Sequence, residues 1–434
     1  MQRTSGVLLP LTSLPGRYAC GTVGDAAYRF VDALAAGGFS LWQMLPITPP
    51  DAYGSPYAGA SSFALDERLL DPETLVVEGL LSREEAASPD REATLGLAAE
   101  RLGREVLDAT LAENPLLAAY CRRGGEDGLY RRALCQYVLD RAWQALHRYA
   151  GERGVMLVGD LPFYVAADSV DLSLFPSAFS PSGEVAGVPP DAFAPEGQVW
   201  GNPLYDFSRM REDNYAYFRA RLSYLLDRFD GVRLDHFRGY SAYYAVPKET
   251  SAAEGRWEAG PGRDLFAALS DLLAGRLVIA EDLGTVDGAV DALRRDCGFL
   301  STRVLQFGFL GDPTSPHLPY RYTEDVAAYS GTHDNDTLQN YIATMPEGER
   351  RYLLDYCGAP TVADGTHAAV RTVLASSASL AIFPVQDLLG LSGEARINTP
   401  GRAEGNWGFR MSEEQLAALE SGPWLYYNRL YGRK

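Results

Sequence analysis

Cysteine and histidine are scarce in this chain, and that scarcity argues against several classes of protein at once. Five cysteines occur in 434 residues, at Cys20, Cys121, Cys135, Cys297 and Cys357. Their odd number, wide scatter and lack of any CxxC spacing argue against a disulfide framework and a zinc site. The five histidines form no HxH or HExxH pair. No window approaches the ~18 uninterrupted apolar residues of a membrane-spanning helix. The apolar run ending at Pro10 is too short for a secretory signal, so a cytoplasmic protein is expected. No GxGxxG follows that first run, which disfavours an open dinucleotide-binding sheet. Basic residues are outnumbered, 39 Lys and Arg against 57 Asp and Glu, for a net charge of −18. Nucleic acid, anionic membrane surfaces and polyanionic substrates are therefore poor partners, since phosphate binding draws on clustered Lys and Arg. A neutral polymer fits better. Internal repeats and low-complexity tails are also absent.

What is present is ordinary for a globular protein, with 46% hydrophobic and 22% charged residues. The length suits a barrel of about 250 residues that carries insertions. Aromatics reach 11%, including 25 Tyr and 6 Trp. Such rings fill large cores, and they also offer flat faces for sugars to stack on.

Eight short apolar runs bounded by turn residues, near 5–11, 40–46, 154–161, 229–235, 276–282, 302–309, 326–332 and 379–385, read as buried parallel strands. Helical periodicity separates most of them. It covers Asp25 to Gly37, Arg132 to Gly151, Glu212 to Phe229, and Val286 to Cys297, the last closed by Gly298. This alternation predicts an α/β protein, a (β/α)8 TIM barrel with helical and loop insertions on its C-terminal face. Residues 1–66 form the first part of the barrel and 67–130 a helical insertion subdomain. Residues 131–434 supply the remainder, with a Pro-, Gly- and Phe-rich substrate-binding loop at about 162–214. A structureless loop of that length inside a compact domain is usually a functional lid or binding loop.

Three of the runs lead into carboxylates: Asp235 after Gly231-Val232-Arg233-Leu234, Glu281 after Leu277-Val278-Ile279-Ala280, and Asp334 after Ser330-Gly331-Thr332-His333. The C-terminal end of a barrel strand is where this architecture builds its active site. Paired carboxylates flanking one bond are the equipment of glycoside cleavage. Arg233 lies two residues before Asp235, so on a strand both side chains point to the same side. A cation there keeps Asp235 ionised, as a nucleophile at an anomeric carbon must be; the same pair could instead close a layer of the barrel core. Glu281 follows four apolar residues, a desolvated setting that raises a carboxyl and lets it donate a proton near neutrality. Its plain alternative is to cap the next helix, a role more natural for Thr285 or for Asp282, which should point the opposite way. Asp334 beside a neutral His333 suits vicinal sugar hydroxyls, although His333-Asp334-Asn335-Asp336 also has the look of a metal-ligand cluster.

The order Arg-x-Asp-His, Ala-Glu-Asp-Leu-Gly and Gly-Thr-His-Asp-Asn-Asp resembles amylomaltase, the 4-α-glucanotransferase or disproportionating-enzyme family of the α-amylase clan. Leu11-Thr12-Ser13-Leu14-Pro15-Gly16, Gly54-Ser55-Pro56-Tyr57, Pro384-Val385-Gln386-Asp387 and Gly405-Asn406-Trp407 match as well. The string Gly197-Gln198-Val199-Trp200-Gly201-Asn202-Pro203-Leu204-Tyr205 is highly specific to the family. The likeness covers nearly the whole chain outside 67–130. It implies Asp235 as nucleophile, Glu281 as acid/base and Asp334 as transition-state stabiliser. It further implies Arg233 and His333 as sugar contacts at the cleaved residue, with Tyr57, Asp191, Gln198, Trp200, Asn202 and Asn406 lining neighbouring subsites.

The implied partners are maltooligosaccharides and α-glucans, with no metal or organic cofactor, on a monomer or homodimer. The implied reaction is a retaining double displacement, for which the two carboxyl groups stand about 5–5.5 Å apart. The chain departs from the family pattern at Pro10-Leu11, Ala167 to Ser173, Leu310 and Tyr320-Arg321-Tyr322, none of them in the catalytic trio. A plain α-glucan hydrolase on the same barrel, or a catalytically weak glucan-binding protein, are the rival readings.

Overall fold

The computed structural model describes residues 3–123, 125–190, 195–284 and 287–433. Its strands, in chain order, are β1 (Thr4–Leu8), β2 (Leu41–Gln43), β3 (Met156–Leu161), β4 (Val185–Val188), β5 (Gln198–Pro203), β6 (Gly231–Leu234), β7 (Ala242–Val246), β8 (Arg256–Ala259), β9 (Leu277–Ala280), β10 (Leu300–Val304), β11 (Val326–Tyr329) and β12 (Leu380–Pro384). Eight of these close a barrel in the order β1-β12-β11-β10-β9-β6-β3-β2. Every neighbouring pair is parallel, including β1 with β2 and β1 with β12 at the seam. The expected (β/α)8 barrel is therefore the fold.

The strands form here because their residues are apolar on both faces, and β9 is buried along its whole length. Alternate residues serve two layers. Leu8, Val158, Leu277, Ile279, Leu380 and Ile382 fill the cylinder, whereas Val7, Leu157, Val278, Ala381 and Phe383 face the surrounding helices. Each such side chain contributes roughly 1.5–3 kcal/mol through burial. This alternation decides where the polar residues at the strand ends point. Arg233 is flanked by the outward Val232 and Leu234, so it and Asp235 turn inward. Ile279 turns inward, so Glu281 does too.

Three local expectations are corrected. The run 302–309 is a strand only at 300–304; Leu305–Phe309 coil into a 3-10 turn, where Gln306 leaves the ladder to donate to Asp336 O at 2.8 Å. The helix read over 212–229 is confined to Ala216–Leu226, and a separate helix, Phe207–Glu212, precedes it. They part at Asn214 and Tyr215, both left-handed with φ of 55° and 57°. The 162–214 stretch is not structureless. It contains β4 and β5, which join β7 and β8 in a four-stranded antiparallel sheet ordered β5-β4-β7-β8.

Between β2 and β3 run the helices Pro72–Val77, Arg83–Ala86, Arg91–Leu102, Arg104–Glu113, Pro115–Arg122 and Glu126–Glu152. After β9, Asp282 points away from the barrel interior as expected, but it is not the cap of the next described helix. It accepts from Ser301 Oγ at 2.5 Å and Thr302 N at 2.7 Å. The next helix, Gly288–Cys297, is capped by Asp287 and closed by the left-handed Gly298; Thr285 and Val286 lie outside the described residues. Among the described residues, no helix is long and apolar enough to cross a membrane.

Candidate active site

The inward strand ends converge on one guanidinium. Arg233 Nη1 donates to Asp160 Oδ1 and Oδ2 at 2.9 and 2.7 Å and to Asp235 Oδ1 at 3.1 Å. Asp160, at the end of β3, is only 2% exposed. It also accepts from the Tyr57 hydroxyl at 2.8 Å. Register explains the meeting, because Asp160 pairs with Arg233 across β3 and β6. Asp235 keeps a side-chain exposure of 24% and accepts a longer bond, 3.4 Å, from Phe163 N. It is thus the carboxylate of this group that remains open to a ligand.

Glu281 sits one strand along, immediately after β9, which pairs with β6. Its Oε2 accepts from His236 N at 2.8 Å. Burial pushes this carboxyl up to about 8; the Arg233 cation pulls it down, while Asp235 and Asp334 push it further up. Near neutrality it carries a proton. The site therefore holds one carboxyl bonded to a cation and another kept protonated, the division of labour that acid–base and nucleophilic work at a sugar needs.

Asp334 follows β11 and is the most open of the set, with 44% side-chain exposure. Asn398 Nδ2 donates to its Oδ1 at 2.6 Å, and Arg396 holds its backbone carbonyl at 2.8 Å. His333 Nε2 lies 3.3 Å from Asp334 Oδ2. Burial lowers the His333 pKa against the pull of Asp334, so the ring is neutral at pH 7. Tyr57 stacks on that ring with centroids 5.2 Å apart and planes 13° off parallel, and Trp407 leans on both at 6.1 Å. Asn335 and Asp336 turn elsewhere. Asn335 binds Thr332, and Asp336 binds Asn340 and the Thr337 N–H.

A cleft of about 970 Å³ opens over these groups, at the upper end of small-ligand sites. Arg233, Asp235, Glu281, His333, Asp334, Tyr57, Gln198, Trp200, Asn202 and Asn406 all line it. Asp191 lies outside the described residues. Gln198 and Trp200, on β5, are locked together by a 3.0 Å bond from the indole N–H. Asn202 is anchored to Val165 O at 2.8 Å, and Asn406 spends its amide on Thr399 N and Arg402 O within its own loop. Leu310 and Tyr320-Arg321-Tyr322 are not among the lining residues.

Sequence reading missed Asp160, Tyr164, His236, Asn398 and Trp407 as residues of this site. Asp160 ends a short apolar run just as the trio does, and that signal was available. Asn398 had none, since its place depends on the loop after β12.

A closed parallel barrel that gathers carboxyl groups and aromatic faces in one open C-terminal cleft belongs to the glycoside-processing barrel enzymes. Comparison with known proteins narrows this. The family model for 4-alpha-glucanotransferase matches residues 9–127 and 108–416, and the chain is a member of that family. It is 34% identical to the 4-alpha-glucanotransferase of Synechocystis sp., covering 100% of this chain and 98% of the relative. It is 36% identical to that of Aquifex aeolicus, covering 96% and 97%. Among solved structures, the amylomaltase of Streptococcus agalactiae in complex with acarbose superposes with a TM-score of 0.92 over 100% of both chains, at 28% identity.

Proposed function

We propose that this enzyme is a 4-alpha-glucanotransferase that passes α-1,4-glucan segments between maltooligosaccharides by a retaining double displacement. Glu281 protonates the leaving glycosidic oxygen while Asp235 attacks the anomeric carbon. The bond to the departing chain breaks as a glucosyl ester forms on Asp235. The 4-hydroxyl of an acceptor glucan then enters, Glu281 takes its proton, and attack at the same carbon releases Asp235. Asp334 steadies the positive charge that develops on the ring, with Arg233 and His333 as its sugar-binding neighbours. Tyr57, Asp191, Gln198, Trp200, Asn202 and Asn406 take the adjoining sugars.

One observation supports this assignment above the others: within a single cleft, Asp235 is hydrogen-bonded to a cation while burial lifts Glu281 to about 8. A nucleophile needs the first setting and an acid near neutrality needs the second. Transfer rather than hydrolysis requires water to be kept from the ester while an acceptor is held. The walls formed by β5 and by the loop bearing Asn398 and Trp407 support that requirement. Product analysis from maltotriose tests the proposal. Longer maltodextrins should appear together with free glucose, and glucose with short sugars alone would establish a hydrolase instead.

A further inference from the structure

The residues on either side of Asp235 hold Glu281 at three points. Glu281 N donates to Leu234 O at 3.0 Å, and Phe237 N donates to Glu281 O at 3.0 Å. The third bond runs from His236 N to the Glu281 carboxyl itself, at 2.8 Å. The first two bonds tie backbone to backbone at the end of β6. The third depends on a break in the strand, because His236 has a φ of 45°. A residue other than glycine meets a penalty of roughly 1–2 kcal/mol in that left-handed region. Such strain persists only where the surroundings impose it.

The consequence is geometric. The peptide unit joining Asp235 to His236 carries the nucleophile's backbone on one side and the donor to the acid/base on the other. We propose, on the basis of the roles given above to Asp235 and Glu281, that His236 is a positioning residue whose left-handed backbone fixes the Glu281 carboxyl relative to Asp235, independently of its imidazole. The ring has its own surroundings, with Trp200 edge-on at 5.0 Å and Phe163 at 5.9 Å.

The charged and titratable groups facing Glu281 are Arg233 and Asp235 from the end of β6, Asp334 from the loop after β11, and Tyr329 on β11 itself. Against that fixed background, the His236 N–H stabilises the ionised carboxylate. Losing it raises the proton affinity of Glu281.

The test compares H236G, H236A and H236N with wild type and with E281Q, reading kcat, KM and the pH profile of kcat/KM on maltotriose. H236G and H236A both lack the imidazole. Wild type also carries a Cβ, but histidine, like asparagine, is several-fold enriched at positive φ and alanine is not. Glycine adopts it freely, so H236A is the variant in which that backbone should relax. H236A should have a kcat roughly 5- to 30-fold below that of H236G. Its high-pH limb should lie about one unit higher. H236N, whose residue type tolerates the left-handed region, should keep the limb of H236G while KM absorbs the loss of the ring. Equal kcat and equal limbs in H236A and H236G would overturn the proposal. Retained activity in E281Q would instead overturn the acid/base role on which it rests. Should H236A fail to fold, H236N against H236G still decides: a shifted limb in H236N alone would mean that the backbone is not what matters.

Discussion

Arg233 Nη1 stands between two carboxylates, 2.7 Å from Asp160 and 3.1 Å from Asp235. The two are not equivalent. Asp160 is sealed beneath the cleft and takes two bonds from the guanidinium, whereas Asp235 takes one and stays partly open. Burial pushes the Asp160 carboxyl up to about 7 against the pull of the Arg233 cation; its two short bonds to the guanidinium keep the arginine in place, and Asp235 takes the third. Removing one partner of a buried pair costs about 3–5 kcal/mol where the other is left uncompensated, and less here because Arg233 keeps its bond to Asp235. Asp160→Asn should therefore lower both stability and rate. The expected outcome is a Tm lower by several degrees and a kcat lower by about 100-fold or more, because Asp235, in the role proposed for it, loses its positioned cation. Thermal unfolding and maltotriose kinetics check this, and an unchanged kcat would show that Arg233 does not need its buried partner.

Glu281 gives a pH dependence of definite sign. In the acid role proposed for it, Glu281 works only while protonated, so kcat/KM should fall as pH rises through about 8. Stability should move in the same direction. A carboxyl raised from 4.5 to about 8 binds more protons folded than unfolded across that interval. Its contribution to stability is thus fully present below pH 4.5 and is lost as pH climbs through about 8. Glu281→Gln, neutral at every pH, escapes that loss. The variant should be inactive, should melt close to wild type at pH 5, and should melt above it at pH 9. Calorimetry at the two pH values checks the prediction, and a wild-type protein that is relatively more stable at pH 9 would contradict it.

Much of this centre could be read from the chain because its logic is local. A period of two places Arg233 and Asp235 on one side, and the run before Glu281 announces its dry surroundings. The eight barrel strands were legible for the same reason, being short, apolar and separated by helical patterns. What escaped was non-local. The sheet containing β4 and β7 pairs Val185 with Val246, some sixty residues apart, through strands too short and glycine-broken to stand out. Asp160 carried the same signature as the trio, but its meaning depends on Tyr57 and Arg233, 103 and 73 residues away. The left-handed turn at His236 also escaped, since histidine's several-fold enrichment at positive φ is too weak a preference to single out one position.

Tyr57 makes two contacts that substitution can separate. Its hydroxyl donates to Asp160 at 2.8 Å, while its ring stacks on His333 at 5.2 Å. Tyr57→Phe deletes the first and keeps the second. A hydrogen bond to a charged group contributes about 1.5–3 kcal/mol, and here its loss leaves one lone pair of a buried carboxylate unmet. The phenylalanine variant should therefore lose stability on that scale while KM for maltotriose changes little, because the aromatic face survives. Tyr57→Ala removes both contacts and releases the His333 ring, so KM should rise as well. Melting curves and Michaelis kinetics on the two variants separate the effects. If Tyr57→Phe raises KM as much as Tyr57→Ala does, the hydroxyl serves the sugar rather than Asp160, and the buried anchor beneath Arg233 must be held by the guanidinium alone.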